Sequence, residues 1–159
     1  MTVIAGYTNG KQFAIAGDSG AFEESSSLKM TMAGGKVWAT ANTLQGGAGN
    51  ARVIEVARRA NLDDPYQLAT VLLDANIAGE WSVLVVTQKR LYEIGEDGSV
   101  FRFKEPYCAV GAAAPIAIGA LATGHRKRMG SPEQIVRLAL DVSVQHSSLC
   151  STPVSVLSK

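Results

Sequence analysis

Two short apolar runs open the chain, residues 2–7 and 12–17, with Thr8, Asn9, Gly10 and Lys11 between them. Asn-Gly between such runs predicts a β-hairpin, because a type I′ turn needs positive φ at both central residues. With Asn9 and Gly10 as that turn, Thr2 faces Gly17 and Asp18 lies one step beyond. Residues 19–27 are polar and serine-rich and read as a loop or a frayed hairpin. Lys29 to Met32 suits a short strand, and Gly34-Gly35 turns the chain into another, KVWATA. The period then lengthens to that of a helix. Asn50 predicts an N-cap for a helix to about Ala60, with Val53, Val56, Ala57 and Ala60 on one face. Asp64-Pro65-Tyr66-Gln67 combines an N-cap, a proline at the first helical position and a capping-box Gln. Leu68, Val71, Leu72 and Ala75 continue it as an apolar stripe to about Gly79. WSVLVVTQ, RLYEIG and SVFRFK read as three strands, the last two joined by a turn at Glu96-Asp97-Gly98. The strand YCAVG leads into a helix of small residues over about 113–126. Ser131-Pro132-Glu133-Gln134 repeats the cap signature, with Ile135, Leu138, Ala139 and Val142 facing inward. A strand over about 153–157 ends the sequence.

The order is strands, two helices, strands, two helices, strand. Grouping of this kind predicts an α+β fold rather than an alternating parallel one. Two helices between two groups of strands predict four layers, an αββα sandwich of two antiparallel sheets flanked by helices. At 159 residues, with 47% of them apolar, the chain fits one domain over 1–159 with a sizeable core. A net charge of +1 gives no indication of a nucleic-acid or membrane partner. No apolar run approaches the ~20 residues of a bilayer span, and the N-terminus lacks the pattern of a signal peptide. Two cysteines, Cys108 and Cys150, make no disulfide framework and suit a reducing, cytoplasmic setting.

Candidate chemistry is concentrated at the N-terminus. The GDSG of residues 17–20 looks like the serine motif of trypsin-type proteases. That serine needs a histidine and an aspartate placed before it in the chain. His125 and His146 both lie far downstream of Ser19, so the stretch reads instead as a tight turn after a strand. Thr2 offers something else. Removal of Met1, usual before a small residue, leaves one residue carrying both a hydroxyl and a free α-amine. With a pKa near 8, a useful fraction of that amine is neutral at pH 7 and can take the hydroxyl proton. The hairpin brings the Asp18 carboxylate beside this terminus; strict alternation puts it on the opposite face, and a one-residue bulge would bring the two face to face. Lys29, between Leu28 and Met30, flanks or enters the core and calls for a carboxylate partner, for which Asp18 is a candidate. A lysine ammonium near the α-amine lowers its pKa by like-charge repulsion. No metal-type spacing links the histidines and cysteines, no phosphate-binding glycine motif exists, and Cys150 reads as a small buried side chain. No cofactor is expected.

TVIAGYTNGKQFAIAGDSG resembles the opening of proteasome β-type subunits, and especially the peptidase subunit of the bacterial ATP-dependent proteasome-like protease. LKMTMAGGKVWATA resembles that family's catalytic-lysine strand, turn and next strand; the middle hairpins and SPEQIVRLALDV continue the likeness. The resemblance implies an N-terminal nucleophile hydrolase in which Thr2 is nucleophile and base, Asp18 holds the lysine and Lys29 is the cation beside the amine. It puts the oxyanion-hole amide near Asn42 and Thr43, where the family usually has Ala-Gly, and a supporting serine at Ser148. It departs at Ala112, where the family has serine, and at Gln145, where it has aspartate. The implied protein is a threonine endopeptidase subunit of a self-compartmentalising ring of six or seven, usually stacked in pairs. It would cut polypeptide substrates fed by a separate ATP-dependent unfoldase. Ala112 and Gln145 motivate the alternative, a ring-forming scaffold that keeps the fold without catalysis.

Overall fold

The computed structural model describes residues 2–22, 29–32 and 34–159, with the side chains of residues 21, 22 and 29–31 outside the description. The first hairpin forms in a register two residues away from the expected one. β1 (Ile4–Thr8) and β2 (Phe13–Asp18) pair antiparallel with Ile4 opposite Gly17 and Thr8 opposite Phe13. The turn is therefore the longer loop of residues 9–12. The Asn9 carboxamide accepts hydrogen bonds from the Lys11 and Gln12 amides at 2.9 and 2.8 Å. Of Asn9 and Gly10 only the glycine has positive φ, 86°, so the type I′ requirement is not met. A shift of two keeps every side chain on its own face. It also sets Asp18 opposite Val3, whose carbonyl accepts the Asp18 amide at 3.3 Å.

Nine further strands and four helices complete the described chain: β3 (Gly20–Phe22), β4 (Lys29–Thr31), β5 (Val37–Ala39), β6 (Leu44–Gly49), α1 (Ala51–Ala60), α2 (Pro65–Asp74), β7 (Trp81–Val86), β8 (Leu91–Gly95), β9 (Val100–Arg102), β10 (Tyr107–Val110), α3 (Ala114–Lys127), α4 (Pro132–His146) and β11 (Val154–Ser158). One sheet runs β10-β1-β2-β11 and the other β5-β6-β7-β8-β9, with β3 and β4 as a small extra ribbon. The architecture is the expected α+β sandwich of four layers. Alternation along single strands builds it. Val3, just before β1, and Ala5 on it pack against Leu121 of α3 and Ile135 and Leu140 of α4. Ile4, between them, faces Leu84, Val86 and Leu91 of the second sheet. On β7, Val83 and Val85 turn the other way, onto Ile54, Leu68 and Leu72 of α1 and α2.

The helix starts follow their caps. Asn50 accepts from the Arg52 amide, Asp64 from Tyr66 and Gln67, and Ser131 with Gln134 closes a full capping box. α2 stops at Asp74, short of the expected Gly79. The strand β6, LQGGAG, has no counterpart in the sequence expectations, since its glycines lack β-propensity. Packing explains them. A Cβ on Gly46 would lie 2.6 Å from Ile4 Cγ2, and one on Gly6 would lie 2.5 Å from Val86 Cγ2. The sheets approach so closely here that only glycine fits.

Candidate active site

Three elements converge at the start of β1. Thr2 precedes the strand, Asp18 ends β2, and Lys36 occupies the turn that enters β5; all three side chains are buried. Lys36 Nζ donates to Thr2 Oγ1 at 2.6 Å and to Asp18 Oδ1 at 3.1 Å. It also donates to the Gly20 carbonyl. Asp18 is held by backbone amides: Oδ1 accepts from Val3 at 3.0 Å, and Oδ2 from Gly20 at 3.2 Å and Ser151 at 3.4 Å. The carboxylate is thus satisfied before the lysine arrives, and it fixes where the ammonium sits. Burial pushes the Lys36 ammonium below its ordinary value, while the charge and hydrogen bond of Asp18 draw it back up.

The sequence led to Lys29 as the cation and passed over Lys36, which reads as the first residue of the strand KVWATA. Its only sequence signal is a charge directly ahead of the apolar VWA of β5. Lys29 itself lies in β4, opposite Phe22, and its side chain is outside the described residues, as is Met1. Thr2 and Asp18 are brought to one cation without a bulge. They need not share a face, because Lys36 bridges them.

Thr2 lines a cleft of about 1010 Å³ together with Ala48, Gly49, Gly111 and Ala112. Gly111 has φ 96°, and a Cβ there would lie 2.3 Å from the Thr2 carbonyl oxygen. The position therefore requires glycine twice over, for its backbone angle and for the approach of Thr2. Asn42 and Thr43, the expected oxyanion residues, are elsewhere. They line a separate cavity with Asp63 and Lys159, and the structure does not bring them to Thr2. Ser148 is exposed in the turn after α4, and Gln145 is exposed near that helix's end. The serine that does reach the site is Ser151, whose Oγ would meet a Cβ on Gly20 at 2.0 Å.

The neighbouring nucleophile candidates are poorly placed for chemistry. Burial pushes the Cys150 thiol up, and the Asp18 charge adds to this, which disfavours a thiolate. His125 is hydrogen-bonded through Nδ1 to the Tyr7 hydroxyl at 3.0 Å, at the far end of β1 from Ser19. No cluster of metal-ligating side chains exists among the described residues. No helix among them is long and apolar enough to cross a membrane.

This four-layer arrangement of two antiparallel sheets flanked by helices recurs in solved structures. Three solved structures of HslV- and proteasome-like peptidases share it over essentially the whole chain. BPH from Thiobacillus denitrificans, solved in complex with epoxomicin, matches with a TM-score of 0.82 at 17% identity, covering 99% of this chain and 98% of that one. Eukaryotic HslV from Trypanosoma brucei matches at 0.79 and 17% identity, with the same coverage of 99% and 98%. The Anbu (Gly-1) mutant from Hyphomicrobium sp. strain MC1 matches at 0.74 and 11% identity, covering 98% of this chain and 80% of that one. At these identities the likeness is one of fold. No protein-family model matches the sequence, and no curated protein does.

Proposed function

We propose that the chain is a threonine-type N-terminal nucleophile peptidase subunit acting on polypeptides after Met1 is removed. The observation that carries this reading is the Lys36 ammonium, 2.6 Å from Thr2 Oγ1 and anchored on Asp18. An ammonium at that distance stabilises developing negative charge on the hydroxyl oxygen. It also repels a proton from the freed α-amine, keeping the amine basic. Thr2 Oγ attacks the peptide carbonyl carbon as its proton passes to the α-amine. The amine then gives that proton to the leaving nitrogen, the C–N bond breaks, and an ester on Thr2 remains. Water, activated by the same amine, cleaves the ester and restores the hydroxyl.

The oxyanion donor in this proposal is the Gly49 amide rather than Asn42 or Thr43. Gly47 on β6 donates to the Lys36 carbonyl at 3.0 Å. Alternation aims the Gly49 amide the same way, past the end of β5 and into the Thr2 cleft. Lys29 stays in the proposal as a second cation, on the strength of the resemblance. The proposal includes assembly into hexameric or heptameric rings in the cytoplasm, with a separate ATP-dependent unfoldase as the feeding partner, on the strength of the family resemblance.

Intact mass of the purified protein, before and after a peptide epoxyketone, tests the reading. The expected result is a mass short by one methionine and a covalent adduct mapping to Thr2. A full-length mass with no adduct supports the scaffold alternative, which the departures at Ala112 and Gln145 motivate.

A further inference from the structure

Among the described residues that line the cleft beside Thr2, the charged ones share one sign. Its walls include Glu80 and Glu96, and none of its lining residues among those described is a lysine or arginine. Strand register brings the two acids together. Gly49 pairs with Trp81 and Ser82 pairs with Gly95, so the residue before β7 and the residue after β8 meet at the sheet end that carries Thr2. Both glutamates are exposed, and among the described residues neither has a salt-bridge partner. The chain as a whole carries a net charge of +1, so this negative field belongs to the cleft and not to a generally acidic surface.

We infer that Glu80 and Glu96 make the cleft selective for peptides with a lysine or arginine adjacent to the scissile bond. The inference rests on the peptidase reading above and names its substrate class. A cationic side chain beside Thr2 enters the field of these two carboxylates, whereas an acidic one meets two like charges. Both glutamates are exposed to solvent, which screens both effects, so the selectivity is an electrostatic preference that salt weakens.

The test uses fluorogenic peptides identical except for Lys, Gln or Glu at each position flanking the cleaved bond. The expected kcat/KM ratio of Lys to Glu peptide is about tenfold at low salt. It falls as sodium chloride is raised to about 1 M. In the double variant Glu80→Gln, Glu96→Gln the ratio moves to near one, with the Gln peptide as reference for any change in the site itself. A ratio of one or less in the unaltered protein, with Thr2 still labelled by an epoxyketone, overturns the inference and leaves the peptidase reading intact. A preference that persists in the double variant overturns the assignment to these residues. Absence of both labelling and cleavage removes the peptidase reading and the inference together.

Discussion

Two buried or half-buried carboxylates organise polar clusters in this protein, and they do different work. Asp18 is fully enclosed, accepts three backbone amides and holds a lysine. Asp63 sits half-exposed at the second cavity. It accepts the Asn42 amide at 2.9 Å, the Asn42 carboxamide at 2.7 Å and the Thr40 hydroxyl. Thr40 and Thr43 join hydroxyls at 2.7 Å, and Gln45 Nε2 donates to Thr43 at 2.9 Å. A cation is near there too, but Lys159 Nζ bonds the carbonyls of Thr40 and Ala41, not the carboxylate or a hydroxyl. The Asp63 cluster thus has acid, hydroxyls and lysine, yet each hydroxyl proton is committed to fastening a turn. At Thr2 a desolvated ammonium is instead aimed at one hydroxyl that also borders an open cleft, the arrangement on which the proposed chemistry rests. Residue types alone do not distinguish the two places.

Removing that ammonium is the strongest way to break the contrast. Lys36→Met is expected to slow epoxyketone labelling of Thr2 by at least about a hundredfold. Asp18 keeps its three amide donors, so the variant should still fold, which a thermal melt checks. Lys29→Met run beside it divides the role. A larger loss at Lys29 than at Lys36 would transfer the catalytic cation to Lys29. A smaller disturbance follows from moving Thr2 without touching any charge. Gly111→Ala places a methyl where the Thr2 carbonyl now lies, at a backbone angle that alanine resists. A misplaced nucleophile should label about ten to a hundredfold more slowly. Unaltered labelling would show that Gly111 serves the chain reversal alone.

How far the sequence revealed these places depends on how local their causes are. The three helix caps at Asn50, Asp64 and Ser131 were legible because each is set by residues within one turn of itself. The four layers were legible from the grouping of strands and helices. The hairpin was legible but its register was not, because Asn9 used its side chain to hold amides 11 and 12 instead of taking positive φ. β6 was hidden because its glycines answer to Ile4 and Ile54 on neighbouring layers, contacts no local pattern carries. In the site, Thr2 and Asp18 could be read from the hairpin. Lys36 could not, since its partners lie 34 and 18 residues away. Asn42 and Thr43 were misplaced for a related reason. Their small polar side chains suit an anion hole and a turn equally well, and the structure uses them for the turn.

The mildest substitution tests the other side of the comparison. Burial raises the Asp63 carboxyl, but hydrogen bonds from Thr40, Asn42 and Thr43 outweigh this and hold it below its ordinary 3.8. Its folded form therefore binds a proton less readily than its unfolded form. The stabilisation is present above 3.8 and is lost as pH falls through the folded value. Asp63→Asn keeps the shape and removes the charge, and solvent access limits the loss to about 1 kcal/mol at neutral pH. In a chain of this size that lowers Tm by roughly 2–4 °C. The difference between the two proteins should close as pH falls through that lowered folded value, because the unaltered Asp63 is then protonated as well. Thr2 labelling should proceed at the same rate in both. If Asp63→Asn slowed it, the two clusters would be one machine, and Asn42 and Thr43 would return to the reacting site.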